Sequence, residues 1–214
     1  MTYAVKECFL SLQGEGARTG RASVFCRMTG CNLWTGIESD RASAMCSFCD
    51  TDFVGSDGPG GGRFSSAELL AQRIHETWPD GARIARAVPY VVFTGGEPLL
   101  QLDRALVDAC HALGFEVAIE TNGTIPVVDG VDWVCVSPKS FERLVVREGH
   151  ELKLVYPQAG LDPTLFEHMS FEHFFLQPMD GPRVQANTTA CVAFCLANPQ
   201  WKLSLQTHKT IGIR

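Results

Sequence analysis

The stretch YVVFTGGEP, residues 90 to 98, shows on a small scale how the chain is organised. It begins with a nearly continuous run of aromatic and β-branched residues, which is typical of a parallel strand covered on both faces. The two glycines that follow let the backbone approach a ligand closely, because no Cβ intervenes. Glu97 then offers an acceptor for the ammonium group of a ligand. Taken alone, Gly-Gly-Glu-Pro is also compatible with a plain turn.

Comparable apolar runs recur along the chain and alternate with helical patterns. Further strands are predicted at 22–28, 116–120, 133–137, 151–155, 174–177 and 202–206, and helices at 65–78, 98–114 and 183–199. This alternation predicts an α/β fold with a mostly parallel sheet, either barrel-like or open. Glycine and polar residues follow several of these strands. The sequence therefore predicts a binding site where the carboxyl ends of the strands meet.

The composition of the chain argues against several classes of protein. The 214 residues are 45% hydrophobic and 20% charged, as in an ordinary globular protein. The net charge of −6 argues against non-specific binding to nucleic acid or to an anionic membrane. No apolar run approaches the roughly 18 residues of a membrane span, and the N-terminus lacks a signal-peptide pattern, so we expect a soluble cytoplasmic protein. No linker divides the chain, which favours one domain over 1–214, and GSDGPGGGRF (55–64) is expected to be a mobile surface loop or lid.

Three of the nine cysteines stand apart from the rest. Cys46 and Cys49 form a C-x2-C pair, and fourteen residues separate Cys31 from Cys46. A structural zinc site lacks its fourth ligand here, although a catalytic zinc with an open position remains possible. A [4Fe–4S] cluster held by three thiolates, with one iron free, is a second interpretation, and coincidence is a third. The odd number of cysteines disfavours a disulfide framework. The remaining cysteines have apolar neighbours and are expected to pack as small hydrophobic residues: Cys8, Cys26, Cys110, Cys135, Cys191 and Cys195.

Several motifs occur in a recognisable order. The chain carries SLQGEGARTGRASVFCRMTGCN (11–32), CSFCDT (46–51), TGGEP (94–98), ETNG (120–123), SPK (137–139), LQPMD (176–180) and LQTHK (205–209). Clustered cysteines after an early strand, an aromatic residue beside the last cysteine and GGEP after the next strand resemble the radical S-adenosylmethionine superfamily. Over essentially its whole length, the chain is more closely similar to the 7-carboxy-7-deazaguanine synthase family. It departs from the superfamily's usual C-x3-C-x2-C spacing, and we interpret 32–45 as an insertion in the cluster-binding loop that leaves the ligand count intact.

The resemblance implies a fold, a set of cofactors and a reaction. The fold would be a partial, modified TIM-like barrel of radical S-adenosylmethionine type with mostly parallel strands. Cys31, Cys46 and Cys49 would hold a [4Fe–4S] cluster whose fourth iron chelates S-adenosylmethionine, and reductive cleavage of this cofactor would give a 5′-deoxyadenosyl radical. The radical would abstract hydrogen from 6-carboxy-5,6,7,8-tetrahydropterin, which rearranges with loss of ammonia to 7-carboxy-7-deazaguanine in queuosine biosynthesis. The protein's own task would then be mainly to position the reactants and exclude water.

The same resemblance implies residue roles, motif by motif. S-adenosylmethionine would be bound by Ser47, Phe48, Cys49, Asp50, Gly96, Glu97, Ser137, Pro138, Lys139, Gln177, Pro178, Met179 and Asp180. The pterin would be bound by Leu12, Gln13, Gly14, Glu15, Arg27, Thr94, His208 and the terminal carboxylate of Arg214. Thr51 would be a ligand to Mg²⁺, which prefers hard oxygen atoms. The apolar run TIGI (210–213) is expected to fold inward and bring the terminus to the pocket.

Some alternatives stay open on the sequence alone. Arg27 could pair with a neighbouring acid, His208 could be a structural group that closes a strand, and Arg214 could be an exposed end. Glu120 and Asn122 could be ligand contacts or turn-forming groups. A radical activase that acts on a protein shares the cysteines and GGEP, although SLQGEG and QTHK argue against it, and a zinc-binding module without catalysis is a third class. An electron donor such as flavodoxin or ferredoxin and a homodimer are implied by the resemblance only.

Overall fold

A computed structural model describes residues 2–79 and 87–214 of the chain. Its strands are β1 (Tyr3–Leu12), β2 (Ala22–Met28), β3 (Gly62–Phe64), β4 (Tyr90–Gly95), β5 (Glu116–Thr121), β6 (Trp133–Val136), β7 (Glu148–Tyr156), β8 (Ser170–Pro178) and β9 (Trp201–Leu203). Its α-helices are α1 (Ala67–Thr77), α2 (Arg104–Ala112), α3 (Val184–Ala197) and α4 (Thr207–Ile211). No helix among these residues is both long and apolar enough to cross a membrane.

The described strands form one sheet in the order β3-β1-β2-β4-β5-β6-β7-β8-β9. From β2 through β9 each neighbouring pair is parallel, whereas β1 pairs antiparallel with both β2 and β3. The two ends of the sheet, β3 and β9, do not pair with each other, so the barrel is open. The predicted α/β fold, a partial TIM-like barrel with mostly parallel strands, is confirmed.

The chain segments on either side of the barrel opening are hydrogen-bonded across it. The Thr207 N–H donates to the Gly14 carbonyl oxygen (3.0 Å), and the Gly16 N–H donates to Ser204 Oγ (2.9 Å). The loop that follows β1 therefore meets the chain that follows β9. These two segments supply walls that the parallel strands alone do not provide.

Apolar residues pack on both faces of the sheet. The main core lies between the sheet and helices α1 to α3, and includes Ile74, Leu106 and Cys191. A smaller cluster inside the barrel contains Tyr90, Val92 and Ala118. At this end of the interior, the Arg18 guanidinium lies 4.0 Å from the centre of the Trp133 ring and that of Arg21 lies 3.8 Å from the centre of Tyr90. Tyr90 and Trp133 are the first residues of β4 and β6. The loop after β1 therefore closes the barrel at the amino ends of its parallel strands, where cations stack on aromatic rings.

The structure changes several predicted boundaries. Each predicted strand is present, but the last one ends at Leu203 rather than at residue 206. The helix predicted over 98–114 divides into a 3₁₀ turn at Pro98–Leu100 and α2, because Glu97 caps the first and Asp103 caps the second. Of the six cysteines expected to pack in the core, Cys195 alone is partly exposed and the others are buried. Strands β1 and β3 were not predicted.

The glycine-rich segment 55–64, for which a mobile surface loop or lid is predicted, is hydrogen-bonded to β1. Lys6 Nζ donates to Val54 O and Asp57 Oδ1, both at 2.8 Å, and the Cys8 N–H donates to Pro59 O at 2.9 Å. A Cβ on Gly61 would lie 2.2 Å from the Lys6 carbonyl oxygen, so the close approach depends on glycine. The end of the segment becomes β3. The glycines therefore cover the outer edge of β1.

Candidate active site

A cavity of about 360 Å³ lies at the carboxyl ends of the parallel strands and extends to the segments that meet across the barrel opening. The predicted site residues that line it are Leu12, Gln13, Gly14, Glu15, Arg27, Cys31, Cys46, Phe48, Cys49, Asp50, Thr51, Thr94, Gly96, Ser137, Lys139, Gln177, Pro178, His208 and Arg214. The predicted site residues that do not line it are Ser47, Glu97, Pro138, Met179 and Asp180. Motifs far apart in sequence thus converge on one space.

All three clustered cysteines face this cavity as free thiols. A hydrogen bond with Cys46 lowers the pKa of Cys49 to about 6, and the same contact raises the pKa of Cys46. Burial raises the pKa of Cys31. In the described parts of the chain, no three His, Cys, Asp or Glu side chains converge on a point where one metal ion could bind. The three thiols share a cavity without forming a mononuclear site.

The glycine pair after β4 lies directly against the chain that leads to Cys31. The Gly96 N–H donates to Met28 O (3.2 Å), and the Glu97 N–H donates to Gly30 O (2.9 Å). A Cβ on Gly96 would lie 1.9 Å from the Gly30 carbonyl oxygen and 3.1 Å from Cys31 Cβ. Glycine is therefore required here for steric reasons, because a side chain would collide with the neighbouring backbone, whereas a plain turn would not need two glycines. The Gly-Gly pair fixes the position of the first cysteine relative to β4.

Glu97 lies behind the cavity wall and connects β4 to β5. Its carboxylate accepts from the N–H groups of Leu99 (3.0 Å) and Asn122 (2.8 Å), and from Thr121 Oγ1 (2.8 Å). Burial raises its pKa despite these donors. Asn122, whose role the sequence left open, lines the cavity and donates to Asn32 Oδ1 (2.9 Å).

A lysine ammonium points into the cavity from the end of β6. Lys139 Nζ donates to the carbonyl oxygen and the hydroxyl of Ser137, at 2.7 and 2.6 Å. Burial lowers the pKa of Lys139, and negative charge on Cys46 or Cys49 would oppose this shift. Among the described residues the hydrogen bonds of Lys139 go to Ser137, and its ammonium group lies near the sulfur atoms of Cys46 and Cys49.

A second group of charges lies among the inward-facing residues of the barrel. The Lys153 side chain is 5% exposed, and its Nζ is 2.5 Å from Glu15 Oε2 and 3.6 Å from Glu120 Oε2. Burial opposes the charged form of Glu15, but the Lys153 ammonium outweighs it and lowers the pKa of that carboxyl group. Gln13 donates to Glu120 (3.0 Å), and Gln206 donates to Glu15 (3.0 Å). The loop after β1 is held by this network, so its cavity-facing side is fixed.

Lys153 was missed from the sequence, although a signal was present. It is one of two charged residues, with Glu151, at alternating positions of the otherwise apolar run ELKLV (151–155). A lysine is rarely buried without a partner. The partner was not visible, because Glu15 is distant in sequence and comes from the loop after β1.

Arg27 and Arg214 share one acid, Glu7, at the far end of the cavity. Arg27 Nε is 2.9 Å from Glu7 Oε1, and Arg214 pairs with the other oxygen of the same carboxylate. The Arg214 guanidinium also lies 4.8 Å from the centre of the Phe9 ring. Ser11 Oγ donates to the Arg214 carbonyl oxygen at 2.5 Å. Glu7 was not predicted, and it is the neighbouring acid that the sequence left open as a partner of Arg27.

The C-terminal segment reaches the cavity in a different way from the predicted one. Ile211 and Ile213 are 59% and 38% exposed, so the expectation that TIGI folds inward is wrong. His208 lies in α4 rather than at a strand end, and its ring occupies the space beside Gly14. Lys209 Nζ is 2.7 Å from Asp50 and 2.5 Å from Asp180. The segment therefore crosses the cavity through polar contacts and not through apolar packing.

The cavity has two chemically distinct sides. The thiol side comprises Cys31, Cys46, Cys49, Gly96 and Lys139, and it combines soft ligands, exposed backbone and one cation. The charged side comprises Glu7, Glu15, Arg27, Glu120 and Lys153, where each carboxylate is close to a cation. The first suits a metal cluster and the second suits a polar ligand with both donors and acceptors.

Comparison with known proteins places these features among relatives of the same length. The chain is 64% identical over 213 residues to the 7-carboxy-7-deazaguanine synthase of Bordetella pertussis, with 100% of both chains covered. It is 62% identical over 214 residues to the 7-carboxy-7-deazaguanine synthase of Bradyrhizobium diazoefficiens, again over 100% of both chains. Among solved structures it is similar to QueE from Escherichia coli, with a TM-score of 0.62 and 27% identity over 96% of this chain and 94% of that one. No family model matches the chain.

Proposed function

The chain belongs to the 7-carboxy-7-deazaguanine synthase family, and from this premise we propose how its cavity divides the work of the reaction. It is a radical S-adenosylmethionine enzyme, a lyase of queuosine biosynthesis. It converts 6-carboxy-5,6,7,8-tetrahydropterin to 7-carboxy-7-deazaguanine with loss of ammonia. The observation that carries this conclusion is the full-length identity to enzymes of this name, together with the three thiols in one cavity. The activase reading is not favoured.

The thiol side is proposed to hold a [4Fe–4S] cluster on Cys31, Cys46 and Cys49. Each thiolate of such a cluster binds a different iron, so the sulfurs need not converge on one point. The three thiols line one cavity and could therefore each bind one iron of the same cluster. When bound, the cluster and S-adenosylmethionine would supply the electron and the radical that start the reaction.

S-adenosylmethionine is proposed to lie between the cysteine loop and the ends of β4, β6 and β8. Gly96 would receive the methionine ammonium group through its backbone, supported from behind by Glu97. The remaining proposed contacts are Ser47, Phe48, Cys49, Asp50, Ser137, Pro138, Lys139, Gln177, Pro178, Met179 and Asp180. Thr51, which lines the cavity beside Asp50, would contribute its hydroxyl to Mg²⁺. Gly96 lines the cavity beside the three thiols, which supports this placement.

The charged side is proposed to bind the pterin. The Lys153 ammonium keeps Glu15 ionised, so that this carboxylate can accept hydrogen bonds from pterin N–H groups. Arg27 would contact the substrate carboxylate and share its guanidinium between that group and Glu7. The other proposed contacts are Leu12, Gln13, Gly14, Thr94, His208 and the terminal carboxylate of Arg214. The C-terminal segment, tied to Asp50 and Asp180 through Lys209, would keep water out.

Other features remain predictions. We propose one domain over 1–214, with the insertion at 32–45, because the described strands belong to a single sheet. The nine free cysteines support a reducing compartment, such as the cytoplasm. Flavodoxin or ferredoxin as electron donor and a homodimeric assembly rest on the family resemblance alone.

Turnover of the pterin acid tests the proposal. The protein is reconstituted anaerobically with iron and sulfide, then incubated with S-adenosylmethionine, Mg²⁺, a chemical reductant and 6-carboxy-tetrahydropterin. We expect 7-carboxy-7-deazaguanine by mass spectrometry and one ammonia for each product molecule. A fully loaded cluster with no product would contradict the assigned reaction. Purified protein that contains zinc without iron or sulfide would instead support the zinc-binding module.

A further inference from the structure

The fourteen residues between Cys31 and Cys46 have a defined structure that includes neither a proposed cluster ligand nor a proposed substrate contact. They include a 3₁₀ helix at Glu38–Ser43, which places Arg41 over the loop that carries Cys46 and Cys49. We propose that Arg41 is a positioning residue: it holds this loop in the conformation that binds the cluster. The inference rests on the cluster site proposed above. This role would explain the long spacing between Cys31 and Cys46, because a spacing of three residues leaves no room for a residue in the position of Arg41.

The first support is a pair of hydrogen bonds from one nitrogen. Arg41 Nη1 donates to the carbonyl oxygens of Ser47 (3.1 Å) and Cys49 (2.9 Å), on either side of Phe48. The Cys49 N–H donates to Cys46 O (3.2 Å), which closes the turn between the two cysteines. Arg41 therefore fixes the outward-facing carbonyls of the turn whose side chains are the thiols. A charged donor on two carbonyls restrains backbone rotation more strongly than a neutral one would.

The second support is that Arg41 is itself held on other sides. Its guanidinium lies 4.2 Å from the centre of the Trp34 ring, and its Nε donates to both carboxylate oxygens of Glu38 at 2.8 and 2.9 Å. Trp34 is 8% exposed and meets Phe53 edge-on, with ring centres 5.6 Å apart. A planar guanidinium that is stacked and paired loses little freedom when it also binds the carbonyls.

The same contacts connect the two parts of the cysteine motif. Trp34 stands three residues after Cys31, and Phe53 stands four residues after Cys49. Gly36, with φ of +82°, lets the insertion pass over Phe53, because a Cβ there would lie 2.3 Å from Val54 Cγ2 and 3.0 Å from Phe53 Cε2. The chain of contacts from Arg41 through Trp34 to Phe53 therefore spans the segment between Cys31 and Cys46. It brings the first cysteine and the C-x2-C pair into register.

The test measures how firmly the cluster is held. Wild type, R41A and R41K are reconstituted anaerobically, and the release of iron to an excess of chelator is followed by absorbance, beside the iron and sulfide content of each chain. We expect R41A to release iron about tenfold faster, because two charge-assisted hydrogen bonds are lost. R41K should fall in between, since an ammonium group neither stacks as a plane nor reaches both carbonyls in the same geometry.

Two control variants separate this effect from a general loss of charge. E38Q removes one support of Arg41 and leaves both carbonyl contacts, and R73A removes an arginine that pairs with Glu76 on the surface of α1. Both should release iron within about twofold of wild type, because exposed ion pairs contribute little. Thermal unfolding of the cluster-free proteins should not distinguish R41A from wild type.

The outcomes are distinguishable from failure of the proposed function. If wild type takes up no cluster, the cluster site itself is wrong. If wild type is loaded and R41A releases iron at the same rate, the positioning role of Arg41 is overturned while the cluster site stands. If R41A does not fold, R41K decides the question, and a wild-type rate of release in R41K overturns the inference.

Discussion

The thiol side and the charged side of the cavity are built on different principles. The thiol side lies on loops after β2, β4 and β6, where glycine at 96 and the Arg41 contacts determine how close the backbone segments approach. The charged side is made of side chains that point inward from strands and from the loop after β1, where Lys153 balances two carboxylates. The first depends on shape and the second on charge. Substitutions should therefore affect the two sides separately.

Two buried glutamates show the contrast within single residues. Glu97 supports the thiol side, receives only neutral donors and has a raised pKa because of burial. Glu15 belongs to the charged side and has a lowered pKa because the Lys153 ammonium outweighs its burial. Neutral hydrogen bonds hold the Glu97 carboxyl group in place, whereas the ion pair keeps the Glu15 carboxylate charged.

The largest expected effect is on the thiol side. Alanine at Cys31, Cys46 or Cys49 should abolish cluster assembly and cleavage of S-adenosylmethionine, because three thiolates are the proposed minimum. C110A and C191A are matched controls, since both residues are buried in the main core, and they should keep the cluster. Iron and sulfide analysis after reconstitution measures the effect. A full iron load and activity in C31A would show that the long-gap ligand is wrongly assigned.

On the charged side, K153M should strongly destabilise the fold. It leaves Glu15 buried without its cation, and loss of one partner of a buried pair costs about 3–5 kcal/mol. Urea unfolding of the cluster-free protein measures this change. K209M is the control, because Lys209 is 40% exposed, and it should change the unfolding free energy by less than about 1 kcal/mol. Equal losses in the two variants would mean that the charge balance around Lys153 has no special role.

G96A should weaken the thiol side through shape alone. The added Cβ would meet the Gly30 carbonyl oxygen at 1.9 Å, and relief of such overpacking typically costs about 1–3 kcal/mol. We expect weaker binding of S-adenosylmethionine and lower cluster content, measured by calorimetry and iron analysis. The control is G114A: its Cβ meets open space but strains the backbone, because Gly114 has φ of +82°, and since Gly114 does not line the cavity both quantities should stay unchanged. Normal cofactor binding in G96A would argue against close backbone approach at this position.

The two glutamates should give opposite pH dependences of stability. Glu15 has a lowered pKa in the fold, so its contribution is present above its unfolded pKa of about 4.3 and is lost as pH falls through the folded value. Glu97 has a raised pKa, so its contribution is present below the unfolded value and is lost as pH rises through the folded one. E15Q should make the unfolding free energy less dependent on pH below about 4.3, and E97Q should make it less dependent on pH above about that value. Chemical unfolding across the pH range measures both, and the same change in the two variants would refute the contrast.

A smaller effect is expected at the boundary between the two sides. T51A should lose the stimulation of turnover by Mg²⁺ while cluster content stays unchanged, because only one hydroxyl ligand is removed. Turnover is measured against Mg²⁺ concentration for both proteins, with T35A as the control on an exposed hydroxyl of the insertion. Unaltered Mg²⁺ dependence in T51A would remove Thr51 from the proposed site.

The thiol side could be predicted from sequence because its parts are short contiguous motifs at strand ends. The residue types within CSFCDT, TGGEP and SPK are enough to indicate a possible role for each motif. The strands that precede them are nearly continuous apolar runs. On the charged side the resemblance pointed to Glu15 and Arg27, but their partners Lys153 and Glu7 could not be predicted. These pairs form only after β1 is added antiparallel to β2 and the loop after β1 enters the barrel. The inward packing of TIGI (210–213) was mispredicted because apolar composition alone does not show that polar contacts of Lys209 and Ser11 hold the segment.

The most direct test of the division into two sides is a pair of titrations on one variant. Cluster-loaded E15Q and wild type are titrated by calorimetry, first with S-adenosylmethionine and then with 6-carboxy-tetrahydropterin. The structure predicts unchanged affinity for S-adenosylmethionine and an affinity for the pterin that is lower by about tenfold or more, because a charged acceptor is lost. Equal weakening of both ligands, or unchanged affinity for the pterin, would contradict the division.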